Sequence, residues 1–348
     1  MKKRLIWIVL AGLLVLGLTR PAAAAYSDVP ADHWAAEAVA RATELGLFQG
    51  EGGGKFGLGR PITRAAFATA LTRLFGWEEV RPDRPSYIDV ARESWYYGAV
   101  EAVQANGAVD ASNHEFRPED NLTRDEMASM LVRGLGYTSL AGSAASYGTP
   151  FSDVTANPGF ITLAYDLGIM DGKGKGRFDP EGDATREQAA AVLVRVYDRL
   201  QEPSVQLESA GEYRLVTIST PMARGGEKMP VTPLEPLPEL YAALRRMKNN
   251  GEDMARMVLQ LMAGGVRTIT DAGGNPVAAS TLISAKEVQE VLGRKDVKTF
   301  YSEGYQSAYC VYAPNAYQSA TVWYQSEESM AAKLQLARLF GVTRYVLE

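Results

Sequence analysis

Cysteine and histidine are almost missing from this chain. Its 348 residues include one cysteine, Cys310, and two histidines, His33 and His114. A lone cysteine rules out an intramolecular disulfide in any compartment. The two histidines share no metal-ligand spacing, which excludes ordinary zinc sites and histidine-based catalytic triads. No metal and no cofactor is implied. Positive charge is also scarce: 36 basic residues face 41 acidic ones, a formal net charge of −5, which argues against nucleic acid as a partner. Beyond the N-terminal segment no apolar run approaches the roughly 20 residues that a membrane-spanning helix needs. Cys310 lies in the apolar run "AYCVY" and reads as a buried, inert thiol rather than a nucleophile.

The N-terminus is the exception to this polar balance. Lys2, Lys3 and Arg4 precede an apolar run from Leu5 to Leu18, and "RPAAAAY" follows. A charged start, a short apolar stretch and small residues before a cleavage point read as a secretory signal peptide over 1–25. Its removal takes away Lys2, Lys3, Arg4 and Arg20 and no acid, so −5 becomes −9 for the mature chain.

What the chain does have is repetition. "YSDV" at 26–29, "YIDV" at 87–90 and "FSDV" at 151–154 open three units, spaced by 61 and 64 residues. Trp34 and Trp95 lie six residues past Asp28 and Asp89, and Phe160 lies seven past Asp153. A helical pattern follows in each unit and stops at a glycine suited to a left-handed cap: Gly46, Gly107 or Gly168. Next comes a loop with a phenylalanine (Phe56, Phe116 or Phe178), expected to plug the core. The third loop, "DGKGKGRFD", is similar in spacing to a calcium loop. Lys173 and Lys175 stand where carboxylates are needed, so it reads as a turn.

Each unit closes with a helix that begins Thr-Arg: "TRAAF" at 63, "TRDEM" at 123 and "TREQA" at 185. Thr followed three residues later by Glu is a capping box. Thr123 and Glu126 fit it, Thr185 and Gln188 fit it with an amide, and Thr63 lacks the return partner. Capping therefore accounts for Thr63, Thr123, Glu126, Thr185 and Gln188. It does not account for Arg64, Arg124 and Arg186, cations at the positive end of a helix dipole. Two readings stay open on physical grounds. One is an ion pair with the repeated acids Asp28, Asp89 and Asp153. The other is recognition of an anion by a guanidinium fork beside a helix N-terminus. Trp34 and Trp95 equally suit a flat sugar-binding face or the core.

The ordered set of aromatic-x-Asp-Val, Trp, Gly, loop Phe and Thr-Arg, three times over residues 26–200, resembles the S-layer homology family. That resemblance implies a three-pronged, all-helical unit with pseudo-threefold symmetry around a central three-helix bundle. It also implies non-covalent attachment of an exported protein to an anionic, often pyruvylated, secondary polysaccharide linked to peptidoglycan. Under it the polymer-binding residues are Asp28, Trp34, Arg64, Asp89, Trp95, Arg124, Asp153 and Arg186, and the location is the cell wall or S-layer on the outer face of the envelope.

After residue 200 the character changes. "RLVTIST" at 214–220 alternates like a strand, and the proline-rich stretch behind it reads as a linker or surface loop. Helical signals cover 239–263. Strands and helices then alternate: "VRTIT", "SAKEVQEVLG", "VKTFY", "SAYCVY", "ATVWY", "ESMAAKLQLARLFG" and "TRYVL". Residues 283–348 resemble the last strand–helix units of family 18 glycoside hydrolases. Ser329 and Lys333 match that pattern, Gln325 and Ser326 stand where its acids belong, and Tyr345 stands for a terminal tryptophan. The family's Asp-x-x-Asp-x-Asp-x-Glu string is absent from the sequence. About 145 residues are also too few for a barrel of typically about 250. Glu327 and Glu328 read as surface acids at a helix start.

The expected organisation is thus a signal at 1–25 and repeats at 26–79, 85–138 and 149–200. A linker or strand region at 201–238 and a small α/β domain at 239–348 complete it. The expected role is envelope anchoring without catalysis. The alternative is an anchored family 18-like hydrolase acting on chitin-like or peptidoglycan sugars. The sequence names no partner for the tail.

Overall fold

The computed structural model describes residues 26–110, 112–216, 218 and 234–347. The expected signal peptide and most of the proline-rich stretch lie outside them. The chain divides into two compact units, one ending at Asp198 and the other starting at Arg199.

In the first unit each repeat is a helix, a loop and a second helix. Repeat 1 contains α1 (Ala36–Glu44) and α2 (Arg64–Phe75), and repeat 2 contains α3 (Tyr97–Ala105) and α4 (Arg124–Gly134). An extra helix, α5 (Thr138–Ala145), precedes α6 (Pro158–Asp166) and α7 (Arg186–Gln201). The first helix of each repeat stops where expected, with left-handed φ values of 70°, 70° and 64° at Gly46, Gly107 and Gly168. The N–H of each glycine turns back to a carbonyl three residues earlier, at Thr43, Gln104 and Tyr165. α2 buries ten of its twelve residues, as a helix surrounded by protein must.

The repeats are joined just before their second helices. Ile62 N–H donates to the Ala184 carbonyl, Ala184 N–H to Leu122 and Leu122 N–H to Ile62, at 2.8–2.9 Å. These three backbone bonds form a closed cycle through all three repeats, and their residues are at most 1% exposed. A second cycle lies beside it: the N–H groups of Arg64, Arg124 and Arg186 donate to Asp120, Gly182 and Arg60 at 2.9–3.0 Å. Helix N-termini leave their first N–H groups without intrahelical partners. Here each finds its acceptor in a neighbouring repeat.

The second unit is α/β. In chain order it contains β1 (Val205–Leu207), β2 (Arg214–Val216), α8 (Leu237–Asn249), a 3-10 turn (Met254–Arg256), β3 (Met257–Leu261), β4 (Gly265–Asp271) and β5 (Thr281–Ile283). Then come α9 (Ala285–Leu292), β6 (Lys298–Ser302), β7 (Ser307–Asn315), β8 (Gln318–Tyr324), α10 (Glu327–Leu339) and β9 (Arg344–Leu347). One sheet is parallel, in the order β1-β9-β3-β2, and the other antiparallel, in the order β5-β4-β8-β7-β6. α9, capped by a Ser284–Glu287 box, lays Val288 and Val291 on Cys310, Tyr312 and Val322 of the antiparallel sheet. Cys310 is fully buried, and burial pushes its thiol pKa up.

Two expectations for this region change. The helical reading of 239–263 holds only to Asn249. Gly251 takes a left-handed φ of 76°, and "MVLQL" becomes the buried strand β3 between β9 and β2. A short apolar run fits a buried strand or a buried helix equally, and the glycine decides it. The linker or strand region carries β2 inside the segment read as a strand, and adds β1 where no strand was read; they pair with β3 and β9.

Candidate functional site

The repeated aspartates hold the repeated loops. Asp28 accepts from the N–H groups of Phe56, Gly57 and Leu58 at 2.7–3.1 Å. Asp89 accepts from Phe116 and Arg117 at 2.8 and 2.6 Å. Asp153 accepts from Phe178 and Asp179, both at 2.9 Å. Partial burial disfavours the Asp28 carboxylate, but the three backbone donors outweigh it and its pKa lies below the usual range. For Asp153 the Phe178 N–H is the leading cause of the same downward shift.

The repeated arginines take the other side of the same loops, one repeat further on. Arg64 Nε donates to the Phe116 carbonyl at 2.7 Å, and Arg124 Nε to Phe178 at 2.9 Å. Arg186 Nε closes the circuit on Phe56 at 2.9 Å. Each guanidinium also lies over the ring of that phenylalanine, 4.6–5.1 Å from its centroid. Nη2 of Arg124 reaches the Asp171 carbonyl at 2.7 Å and Nη2 of Arg186 reaches Gln49 at 2.9 Å. Phe56, Phe116 and Phe178 are at most 1% exposed, so the expected core plugs are where they should be. The ion pairs of these arginines with Asp28, Asp89 and Asp153, one of the two readings left open by the sequence, do not form. Loop N–H groups occupy the aspartates, and loop carbonyls occupy the arginines.

The three N-termini differ as their sequences differ. Thr123 and Glu126 make both bonds of the capping box. Thr63 accepts from Ala66 N–H at 3.2 Å with no return bond. In the third copy only the return bond is present, Thr185 N–H to Gln188 Oε1 at 3.5 Å. The Thr185 hydroxyl is buried without a partner, so the expected cap by Thr185 is not made. Glu126 does more than cap. Its Oε1 accepts from Arg64 Nη1 at 2.9 Å and from Arg117 Nη2. Burial opposes its ionisation, but Arg64, the Thr123 N–H and Arg117 together hold its pKa below the ordinary value.

Trp34 and Trp95 are 63% and 64% exposed, which removes the core alternative for both. The third repeat has no such ring. Six residues past Asp153 stands Gly159, fully packed against α5; a Cβ there would lie 2.0 Å from the Ala141 carbonyl oxygen. Phe160, the expected substitute, lies under the Arg133 guanidinium at 4.6 Å. Gly159→Ala is expected to cost about 1–3 kcal/mol, since backbone on both sides must move. Thermal unfolding of the variant checks this.

A cavity of about 420 Å³ opens beside the first of these arginines, lined by Arg64, Ile88, Asn113, His114, Glu115 and Arg117. Ile88 is 80% exposed at its edge. The cavity thus sets an uncovered aliphatic surface and the Glu115 side chain beside two guanidinium groups that share the Glu126 carboxylate.

Comparison with known families decides what these repeats are. Residues 25–68, 86–128 and 150–190 match the S-layer homology domain. The first unit consists of three S-layer homology domains. The S-layer protein sap of Bacillus anthracis is 28% identical over 234 residues, covering 65% of this chain and 28% of that protein. An endoglucanase of Bacillus sp. strain KSM-635 is 31% identical over 215 residues, covering 58% of this chain and 22% of that enzyme. The chain therefore spans less than a third of either relative. Among solved structures, the spore cortex-lytic enzyme of Bacillus megaterium is similar at 17% identity, over 35% of this chain and 28% of that one, with a TM-score of 0.30. A TM-score of that size assigns no fold. The three domains and the S-layer relatives mark a surface-anchored extracellular protein. No described helix is long and apolar enough to cross a membrane.

The S-layer homology domains also contain functional-looking residues that the sequence reading passed over. Arg73, Arg133 and Arg195 each follow the Thr-Arg arginine by nine residues, a spacing as regular as the motif itself. Arg73 and Arg195 donate to the carbonyls at Gly46–Leu47 and Gly168–Ile169, at the ends of α1 and α6. A cation there meets the negative end of the dipole. Glu51 was missed as well: it pairs with Arg60 and lies 3.7 Å from Arg186 Nε.

In the second unit Ser326 caps α10 through Ser329 N–H at 3.1 Å, and Ser329 Oγ accepts from Ala308 N–H at 2.9 Å. Lys333 is 1% exposed and donates to the Leu234 carbonyl and to Gln325 Oε1 at 2.9 and 2.7 Å. Glu235, also 1% exposed, lies 3.8 Å from its Nζ and accepts from Gln325 and from Met262 N–H. Glu328, expected on the surface, is half-buried, and burial with Glu303 nearby raises its pKa. Tyr345 donates to Gln206 at 3.3 Å.

Proposed function

We propose that the three S-layer homology domains anchor this exported protein non-covalently to an anionic secondary polysaccharide of the cell wall. In this reading the unit is a pseudo-threefold helical bundle. Its polymer sites lie along the grooves where the Thr-Arg arginine of one repeat meets the loop of the next. Asp28, Asp89 and Asp153 shape those loops, Arg64, Arg124 and Arg186 supply the cations, and Trp34 and Trp95 supply sugar-stacking faces. The observation that carries the proposal is the circuit in which each Thr-Arg guanidinium meets the loop of the next repeat; the cavity at the first of these junctions, edged by the uncovered Ile88, supports a ligand with an apolar substituent, such as a pyruvyl group. The second unit is the displayed part and is read as non-hydrolytic. The sequence has no Asp-x-x-Asp-x-Asp-x-Glu string, and positioned carboxylates are what glycoside hydrolysis requires.

The test is co-sedimentation with purified cell-wall sacculi before and after chemical extraction of the secondary polymer. Binding is expected only before extraction. Replacing Trp34 and Trp95 together with alanine is expected to weaken it at least tenfold, with helicity unchanged because both rings are exposed. Equal sedimentation with extracted sacculi would overturn the proposal.

A further inference from the structure

The three Thr-Arg sites are not electrostatically equivalent. The residue at the third helical position of the following repeat sets the difference. For Arg64 that residue is Glu126, whose carboxylate sits on the guanidinium at 2.9 Å and also engages Arg117. For Arg186 the residue is Ala66, and Glu51 from the same loop comes within 3.7 Å instead. For Arg124 the residue is Gln188, which bonds the Thr185 N–H and carries no charge. Among the described residues no carboxylate pairs with Arg124. Its Nε and Nη2 are held by the carbonyls of Phe178 and Asp171. The acids nearest in its field are each committed elsewhere: Asp179 to Lys173 at 2.9 Å, Asp171 to Arg195 at 3.3 Å and Asp153 to loop N–H groups and Arg177. Arg124 is 6% exposed, so its charge is poorly solvated, and carbonyls alone do not neutralise it.

Resting on the anchoring proposal above, we infer that the groove between repeats 2 and 3 is the principal carboxylate site. Arg124 is the vacant cation there, and the Arg64 site is occupied by a carboxylate of the chain itself. Glu126 stands where the ligand's carboxylate would stand. The polymer's acid must displace it at the Arg64 site and meets no competitor at the Arg124 site. A charge-assisted bond to a weakly solvated guanidinium is the stronger kind, so the vacant site has the higher affinity.

Exchange of the two residues tests this in the full chain. Gln188→Glu installs the built-in acid at the Arg124 site, and Glu126→Gln removes it from the Arg64 site. Sedimentation with sacculi that retain the polymer is expected to weaken at least tenfold in Gln188→Glu. In the same variant the melting temperature should be unchanged or higher, because Arg124 gains an ion pair. A site important only for folding would move binding and stability in the same direction. Glu126→Gln is expected to bind at least as tightly as the parent when folded; Glu126→Asp shortens the reach to Arg64 while keeping the helix start acidic, and serves if the Gln variant unfolds. Binding of Gln188→Glu within twofold of the parent overturns the inference while leaving anchoring intact. Binding that survives polymer extraction in every variant overturns anchoring itself.

Discussion

Lys333→Met is expected to destabilise the second unit by about 3–5 kcal/mol near pH 8, because it strands the buried Glu235 carboxylate without its cation. In the parent, burial is the leading influence on both groups. It raises Glu235 to about 7 and lowers Lys333 to about 8, each against the pull of the other's charge. A raised carboxyl pKa means the folded state holds the proton more tightly than the unfolded chain, so this group's contribution falls as pH rises from its ordinary value toward 7. A lowered ammonium pKa means the folded state gives up its proton sooner, so the contribution of Lys333 rises with pH above 8. The pair therefore supports the fold least around pH 7–8. Without Lys333 the carboxyl must be protonated to stay buried, and the penalty shrinks toward pH 5. Urea-dependent hydrogen exchange of the β3 and β9 amides at pH 5 and 8 reads the difference. The double change Lys333→Met, Glu235→Gln should recover most of the loss, and an equal penalty at both pH values would contradict this account.

Arg186→Ala is expected to cost the first unit about 2–3 kcal/mol, since the carbonyl of the buried Phe56 loses a charged donor and its ring loses the guanidinium above it, while the exposed Gln49 carbonyl can turn to water. Those carbonyls, at Phe56 and Gln49, belong to a loop more than a hundred residues earlier in the chain. The loss should therefore appear as faster exchange in the repeat 1 loop as well as in α7. Arg186→Lys should recover less than half of it. An ammonium is a point donor and cannot span two acceptors as the guanidinium fork does at 2.9 Å to each. Chemical denaturation of the three chains, with exchange at Phe56, measures both effects.

Much of this is legible in the sequence alone. The period of the repeats fixed the helix pairs, because a glycine stop and a Thr start are local signals that need no knowledge of neighbours. The burial of Phe56, Phe116 and Phe178 was legible for the same reason. The destination of the arginines was not. In a repeat, a contact within one copy and a contact to the next look identical in sequence, so Arg64 could be paired with Asp28 as readily as with the Phe116 loop. Only the fold shows that each arginine leaves its own copy. The helix α5 left a faint trace: the second spacing is three residues longer than the first, and a glycine stands where the tryptophan should be. In the second unit a glycine at 251 was the only local sign that the apolar residues behind it leave the helix. β1 is too short for any alternation to show, and only its pairing with β9 reveals it.

The backbone cycle through Ile62, Leu122 and Ala184 has a consequence for how such an anchor comes into being. A chain that emerges N-terminus first delivers Ile62 long before Ala184. Until the third copy arrives, the Ile62 amide and the carbonyls around Phe56 wait without their final partners. Two copies make an open arc whose ends expose unmet backbone, and no pairwise bond within it can be completed into the circuit. Under the anchoring proposal, a chain truncated before the third repeat is therefore expected to leave the circuit open and to lose sedimentation with sacculi.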